Sequence, residues 1–307
     1  MEKNYLTRRD FLKLTKDGLS IAVLSSAVQA CAGKNHHSVS KADQNRLFNN
    51  NAVVNFIHGV ASGDPTPDSL ILWTRVTPDA EEDGLVVPVE WELSKESNFH
   101  RTIAGGIEPA SKVSDFTVKI DVQNLTPQTH YFFRFLCNGA TSPVASTKTL
   151  PRNNVRSVKL SVFSCSNYPA GHFNAYGLAS KQKEVDAIIH LGDYIYEYGI
   201  DGYASQQAKE LGRGVVPEHE LFTLQDYRTR HAQYRTDINL QELCHTAPLI
   251  AVWDDHEISN NAFKNGAENH QQGEGNYLTR KAAAMRAYFE WMPIRESLDG
   301  KNQIINR

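Results

Sequence analysis

Three short apolar runs, each breaking abruptly into a polar cluster, constrain this chain more than any other feature of it. Val158-Lys159-Leu160-Ser161-Val162-Phe163 runs into Ser164-Cys165-Ser166-Asn167. Ala187-Ile188-Ile189-His190-Leu191 runs into Gly192-Asp193-Tyr194-Ile195-Tyr196-Glu197. Pro248-Leu249-Ile250-Ala251-Val252-Trp253 runs into Asp254-Asp255-His256-Glu257, with Asn260-Asn261 close behind. Apolar runs of this length read as buried strands. Helical stretches over 174–184, 224–234 and 278–291 lie between and after them, the last ended by Pro293. Strand, helix, strand at this spacing predicts an α/β domain with a largely parallel sheet over 155–307. In open α/β sheets, ligand sites lie beyond the carboxyl ends of the strands. If the three strands are neighbours, their polar ends share one rim.

The preceding segment, 53–150, has a different period. Alternating runs at 69–76, 86–93 (around Trp91), 116–122 and 130–136 are separated by Gly63-Asp64-Pro65, Pro78-Asp79, Gly105-Gly106 and Thr126-Pro127-Gln128. That punctuation predicts an all-β, antiparallel sandwich. Leu125-Thr126-Pro127 ahead of Tyr131 resembles the corner of fibronectin type III and other Ig-like domains. His58 and Asp64 read as turn or surface residues. Residues 141–154, with Pro143, Pro151 and Asn153-Asn154, read as the boundary between the domains.

The first thirty residues read as an export signal. Thr7-Arg8-Arg9-Asp10-Phe11-Leu12-Lys13 precedes a short, Ser-containing apolar stretch, 18–28, which is too short to span a membrane. The paired arginines resemble a twin-arginine (Tat) signal, which implies the Tat machinery as a partner and a periplasmic or extracellular destination. Cys31 is a candidate for lipid attachment, although Val28-Gln29-Ala30 matches a lipobox poorly; membrane contact is otherwise confined to export. Residues 31–52 are polar and read as a linker. A net charge of −3 gives no electrostatic case for binding nucleic acid. A mean hydropathy of −0.46 argues against a multi-span membrane protein. Four cysteines in 307 residues make no disulfide framework. Cys137 and Cys244 read as structural thiols, with a disulfide between them left open.

The donor types at the strand ends suit a mixed metal centre. Thiolate, carboxylate and phenolate are all anionic ligands, and phenolate suits iron. Asp255 and Asn260 offer oxygens to a harder ion such as Ca²⁺, Mg²⁺ or Mn²⁺, and Asp193 is able to bridge. His256 is placed to ligate, to hydrogen-bond a phosphoryl oxygen or to protonate a leaving group. Taken alone, Cys165 is a small buried hydrophobe, Gly192-Asp193 a turn, and the run with Tyr194, Tyr196 and Tyr198 a half-buried strand edge whose side chains alternate between faces. Four consecutive ionisable residues after an apolar strand are harder to dismiss, because burying them unpartnered is costly. Arg228, Arg230 and Arg235 read as surface or salt-bridge residues rather than phosphate ligands.

Gly192-Asp193-Tyr194-Ile195-Tyr196-Glu197 and Trp253-Asp254-Asp255-His256-Glu257 together resemble the PhoD-type alkaline phosphatases, within the calcineurin-like metallophosphoesterases. Gly59-Val60-Ala61-Ser62-Gly63-Asp64-Pro65, Phe163-Ser164-Cys165-Ser166, Tyr234-Arg235-Thr236-Asp237 and Met292-Pro293 also fit. The resemblance implies an exported phosphatase and phosphodiesterase using Fe³⁺ and Ca²⁺, with Mn²⁺, Mg²⁺ or Zn²⁺ as alternatives. It implies iron ligation by Cys165, Asp193 and Tyr196, with Asp193 bridging to calcium. Asp255 and His256 take the places of the Asn and His in the wider superfamily's Gly-Asn-His motif, and Asn260 is a weaker calcium candidate. The family's late Gly-Asp-x-His-type motif has no counterpart before Arg307, so the sequence reads as an N-terminal portion with an incomplete site.

Hydrolysis of phosphate mono- and diesters by metal-activated water then needs no Ser, Thr or His nucleophile, with Asp193 and His256 as its catalytic residues. Two rivals remain at this stage. One is a non-catalytic exported binding protein; the other is a phosphotriesterase or lipid phosphodiesterase on the same scaffold.

Overall fold

A computed structural model describes residues 48–295. The export signal, Cys31 and most of the polar linker lie outside the described residues. Strands β1 (Val54–Asn55), β2 (Val60–Gly63), β3 (Leu70–Arg75), β4 (Thr77–Pro78), β5 (Val86–Ser94), β6 (Thr102–Ser111), β7 (Thr117–Val122), β8 (His130–Cys137), β9 (Ala140–Thr141) and β10 (Ala145–Lys148) come first. Strand β11 (Leu160–Phe163), helix α1 (Asn174–Ala179), β12 (Ala187–His190), α2 (Leu224–Arg235), α3 (Ile238–Cys244), β13 (Leu249–Ala251) and α4 (Tyr277–Trp291) follow. Among the described residues, no helix is long and apolar enough to cross a membrane.

The predicted α/β and sandwich regions share one sheet. Its order is β11-β12-β13-β2-β3-β7: the first four strands are parallel and the last two antiparallel to their neighbours. The seam between the halves is a single pairing, Leu249 opposite Gly63, extended by a 3.0 Å bond from the Asp64 N–H to the Leu249 carbonyl. A second, antiparallel sheet runs β10-β8-β5-β6, with β9 on β8. The segment at 151–154 therefore joins two stretches that pair with each other through space.

Strand alternation explains why β3 is buried at every position. Successive side chains point to opposite faces. Leu70 and Leu72 join Val87, Val89, Leu93, Tyr131, Phe133 and Phe135 in the core between the sheets. Trp73, next after Leu72 and of opposite phase, joins the opposite core with Tyr227, Tyr234, Leu240 and Trp291 from the helices. Tyr131 closes the sandwich corner by accepting from the Thr126 N–H at 2.9 Å.

The structure departs from the sequence reading at several points. Gly105-Gly106 lies in mid-strand, within β6, and makes no turn. Trp91 pairs opposite Gly106, and a Cβ there would stand 2.9 Å from the indole Nε1, so the glycine is a seat for the ring. His58 and Asp64 are buried. His58 lies edge-on to Trp291 at 5.2 Å, and burial pushes its pKa down to about 3. Cys137 and Cys244 are both free and sit in different cores. The stretch with Tyr194, Tyr196 and Tyr198 is irregular backbone and forms no strand.

Candidate metal centre

Because β11, β12 and β13 are adjacent and parallel, their carboxyl ends open on one rim. Backbone pairing continues past the strands: Leu191 donates to the Phe163 carbonyl at 2.8 Å, Cys165 to Gly192 at 3.1 Å and Ser166 to Asp193 at 2.9 Å. The two ligand-bearing turns are thus laced together. Cys165 and Asp193 both have positive φ, 59° and 54°, a conformation L residues adopt at a cost and which clusters at functional sites. Gly192, at φ 103°, has no alternative: a Cβ would fall 2.6 Å from the Asp254 Cβ.

Two buried glutamates hold this arrangement. Glu257 accepts the backbone N–H groups of Asp193 (3.2 Å), Tyr194 (2.7 Å) and Asp254 (2.9 Å), fixing the Asp193 turn against the β13 turn. Burial pushes its pKa up to about 7, against the Tyr194 and Asp254 N–H donors, which favour the charged form. Glu197 accepts from His256 Nδ1 at 2.8 Å, from the Asn260 N–H at 2.6 Å and from Asn269 Nδ2 at 2.7 Å. Burial raises the Glu197 pKa, but these donors outweigh it and hold the carboxyl below its ordinary range. Burial likewise works against charge on His256, and the Glu197 carboxylate reverses that, leaving the imidazole pKa above its ordinary value.

The functional side chains converge on Asp193. Its Oδ2 accepts from Cys165 Sγ at 3.4 Å and from Tyr196 OH at 3.2 Å. Its Oδ1 is buried without a hydrogen-bond partner. Ligand atoms of Asp193, Asp255 and His256 lie within 4.8 Å of one another. An orphaned buried carboxylate oxygen is costly, and a cation is the partner that best removes the cost. Thiol, phenol, carboxylates and imidazole around that oxygen fit a metal site. Burial raises the Asp193 pKa, and burial beside Asp193 and Cys165 raises the Tyr196 pKa, so metal binding here would release protons. The Tyr196 ring stacks on His256 at 4.1 Å, with Tyr198 at 5.4 Å from the same imidazole.

Of the sequence candidates, Cys165, Asp193, Tyr196, Asp255 and His256 come together. Cys165 is exposed rather than a buried hydrophobe. Asn260 is tied to the cluster by its main chain, through Glu197. Asp254 is exposed, which spares the acidic run part of the desolvation cost assigned to it.

The three arginines are buried rather than on the surface, and the salt-bridge reading holds for Arg228. Arg228 grips Glu290 with two 2.7 Å bonds. Arg230 donates to the carbonyls of Tyr196, Val216 and Pro217. Arg235 lies over Trp73 and donates to Cys244 Sγ at 3.1 Å. Sequence reasoning missed the anchors Glu197 and Glu257, although each closes a run it singled out. It also missed Ser166, His190 and Tyr176, which bond one another at 2.8–3.0 Å behind the cysteine turn.

Residues 160–307 match the family described as PhoD-like phosphatase, and residues 40–151 match the PhoD-like phosphatase N-terminal domain. Alkaline phosphatase D of Bacillus subtilis (strain 168) is 42% identical over 251 residues, covering 79% of this chain and 42% of that protein. The solved structure of PhoD superposes with a TM-score of 0.71 at 41% identity, over 78% of this chain and 46% of that one. The chain thus spans less than half the length of these relatives.

Proposed function

This chain belongs to the PhoD-like phosphatase family, and on that footing we propose that it hydrolyses phosphate mono- and diesters at the strand-end cluster. The observation that carries the reading is the convergence of five donor side chains on one rim, with Asp193 Oδ1 left as a buried, unpartnered oxygen. Cys165, Asp193 and Tyr196 would hold iron. Asp193 would also face calcium, together with Asp255 and Asn260. Bound there, the ions supply charge neutralisation at the phosphoryl oxygens and a water of lowered pKa.

The protein's own groups do the rest. Glu197 engages His256 Nδ1 and leaves Nε2 as the ring nitrogen that meets substrate. The Glu197 carboxylate favours the protonated ring, from which Nε2 would deliver a proton to the leaving oxygen. Glu257 holds the Asp193 turn so that its carboxylate does not reorganise during the reaction.

The test is metal analysis of the purified protein alongside turnover of a nitrophenyl phosphate and its bis-nitrophenyl diester. Iron and calcium should co-purify, and chelation should abolish release from both. Manganese, magnesium or zinc in their place would change the metal assignment. Absence of metal-dependent turnover by the loaded protein would overturn the reading.

Export is part of the same proposal. The Thr7–Lys13 run supports passage by the twin-arginine route, which carries folded, metal-loaded proteins to the periplasm or beyond. Acylation at Cys31 would then leave the protein on a membrane surface. Replacing Arg8 and Arg9 with lysine should trap the protein in the cytoplasm, because a receptor reads the pair itself; unchanged export would refute this.

A further inference from the structure

Beside the metal cluster stands an aromatic ring that the proposed chemistry leaves idle. Tyr203 is 66% exposed, yet its ring lies nearly parallel to Tyr196, 17° between planes and 6.5 Å between centroids. Tyr196 is itself stacked on His256, so three rings lie in succession from the imidazole to solvent.

The exposed ring sits on a fixed support. The Gly202 N–H bonds the Gly199 carbonyl at 3.0 Å, and the Ser205 N–H bonds Gly202 at 3.3 Å. Gly202 packs against the Tyr198 Cβ with no room for a side chain, and a Cβ at Gly199 would fall 2.6 Å from the Glu218 carbonyl. Ala204 takes a positive φ of 58° to complete the turn. From the cysteine side, Asn167 donates its amide N–H to the Tyr203 carbonyl at 2.8 Å, and Asn167 Oδ1 is a buried acceptor without a partner. What singles out this ring is its place, parallel to a ring of the metal cluster and open to solvent on the side of the site. A rigidly presented ring offers stacking at little cost in ordering.

We propose that Tyr203 is a specificity-determining residue: it stacks against a planar aromatic group on the ester, and so selects aryl- and nucleobase-like phosphate esters over aliphatic ones. The proposal rests on the phosphatase reading of the adjacent cluster. Its chemistry is that of base–aromatic stacking, which tolerates any ring with a π-face. Tyr196 is closed to this role, because it is buried and stacked on His256.

Non-hydrolysable probes test it by binding, independent of turnover. Phenylphosphonate and cyclohexylphosphonate carry rings of similar size, only one of them planar. Titrated calorimetrically into metal-loaded protein, phenylphosphonate should bind roughly three- to tenfold more tightly, the range aromatic stacking supplies. Tyr203→Ala and Tyr203→Leu should bring the ratio to about one, while Tyr203→Phe keeps it. Equal binding of the two probes by wild type, or a preference that survives in Tyr203→Ala, would overturn the proposal and leave the phosphatase reading intact. If wild type binds neither phosphonate nor inorganic phosphate, the site reading itself fails and the stacking role falls with it.

Discussion

At the scale of single residues, Asp193 carries the most. It accepts from Cys165 and Tyr196 and keeps one oxygen for a cation, so Asp193→Asn weakens every partnership at once. Turnover should fall roughly a hundredfold or more, with a parallel loss of metal content; full metal content at near-normal turnover would refute the bridging role. Tyr196→Phe keeps the ring stacked on His256 and removes only the oxygen, so the iron-loaded variant should lose the phenolate part of its visible absorption while its fold persists; an unchanged spectrum would refute ligation by Tyr196. The buried Glu197–His256 pair sets a pH dependence in metal-free protein. Glu197 has a lowered folded pKa, so its contribution is present above 4.5 and lost as pH falls through the folded value. His256 has a raised one, so its contribution is full below 6.5 and lost as pH rises through the folded value. Glu197→Gln should therefore cost most between those two pH values, about 3 kcal/mol, and progressively less on the alkaline side. Thermal melts of both proteins across that range check it; parallel curves would count against the pair.

Helix and strand ends transmit those residue effects. Thr223 and Asp226 form a capping box at the start of α2: Asp226 Oδ2 accepts the Thr223 N–H at 2.7 Å, and Thr223 Oγ1 accepts the Asp226 N–H at 3.2 Å. Thr223→Ala should cost about 1 kcal/mol in urea denaturation. Because the same helix carries Arg230, which braces the Tyr196 carbonyl, the loss should also be felt as weaker iron binding. The elements that bear the site were legible in sequence, since each is an apolar run ending in unlike chemistry, and strands β11, β12 and β13 fall within the predicted runs. What stayed hidden depends on a partner distant in sequence. β6 was disguised by Gly105-Gly106, whose meaning lies in Trp91 across the ladder. α3 is the exception, hidden although its cap is local: Asp237 accepts from the Asn239 and Leu240 N–H groups, but only one turn of apolar pattern follows. The arginines read as surface or salt-bridge residues, and their burial went unseen because charge is visible in a sequence and its acceptors are not. Glu197 was in plain view, but its three donors come from residues 256–269.

Over the whole molecule, the shared sheet makes the two cores interdependent. Trp73 packs on the helices while its neighbours Leu70 and Leu72 pack on the second sheet, so loosening either core exposes β3. Residues 48–295 should unfold in a single transition by both near-ultraviolet and far-ultraviolet dichroism. The seam is the sensitive place. A Cβ at Gly63 would press on the Pro293 carbonyl and stand 2.6 Å from the Leu249 carbonyl, so Gly63→Ala should cost about 3 kcal/mol and split the melt into two steps. An unchanged single melt would show that the seam is dispensable. That seam also sets a clock during synthesis. β2 leaves the ribosome about 190 residues before the strand it must pair with, and at about 5–20 residues per second the wait is roughly ten to forty seconds. Throughout it, one edge of the nascent antiparallel half stands open, and chaperones have that long to shield it.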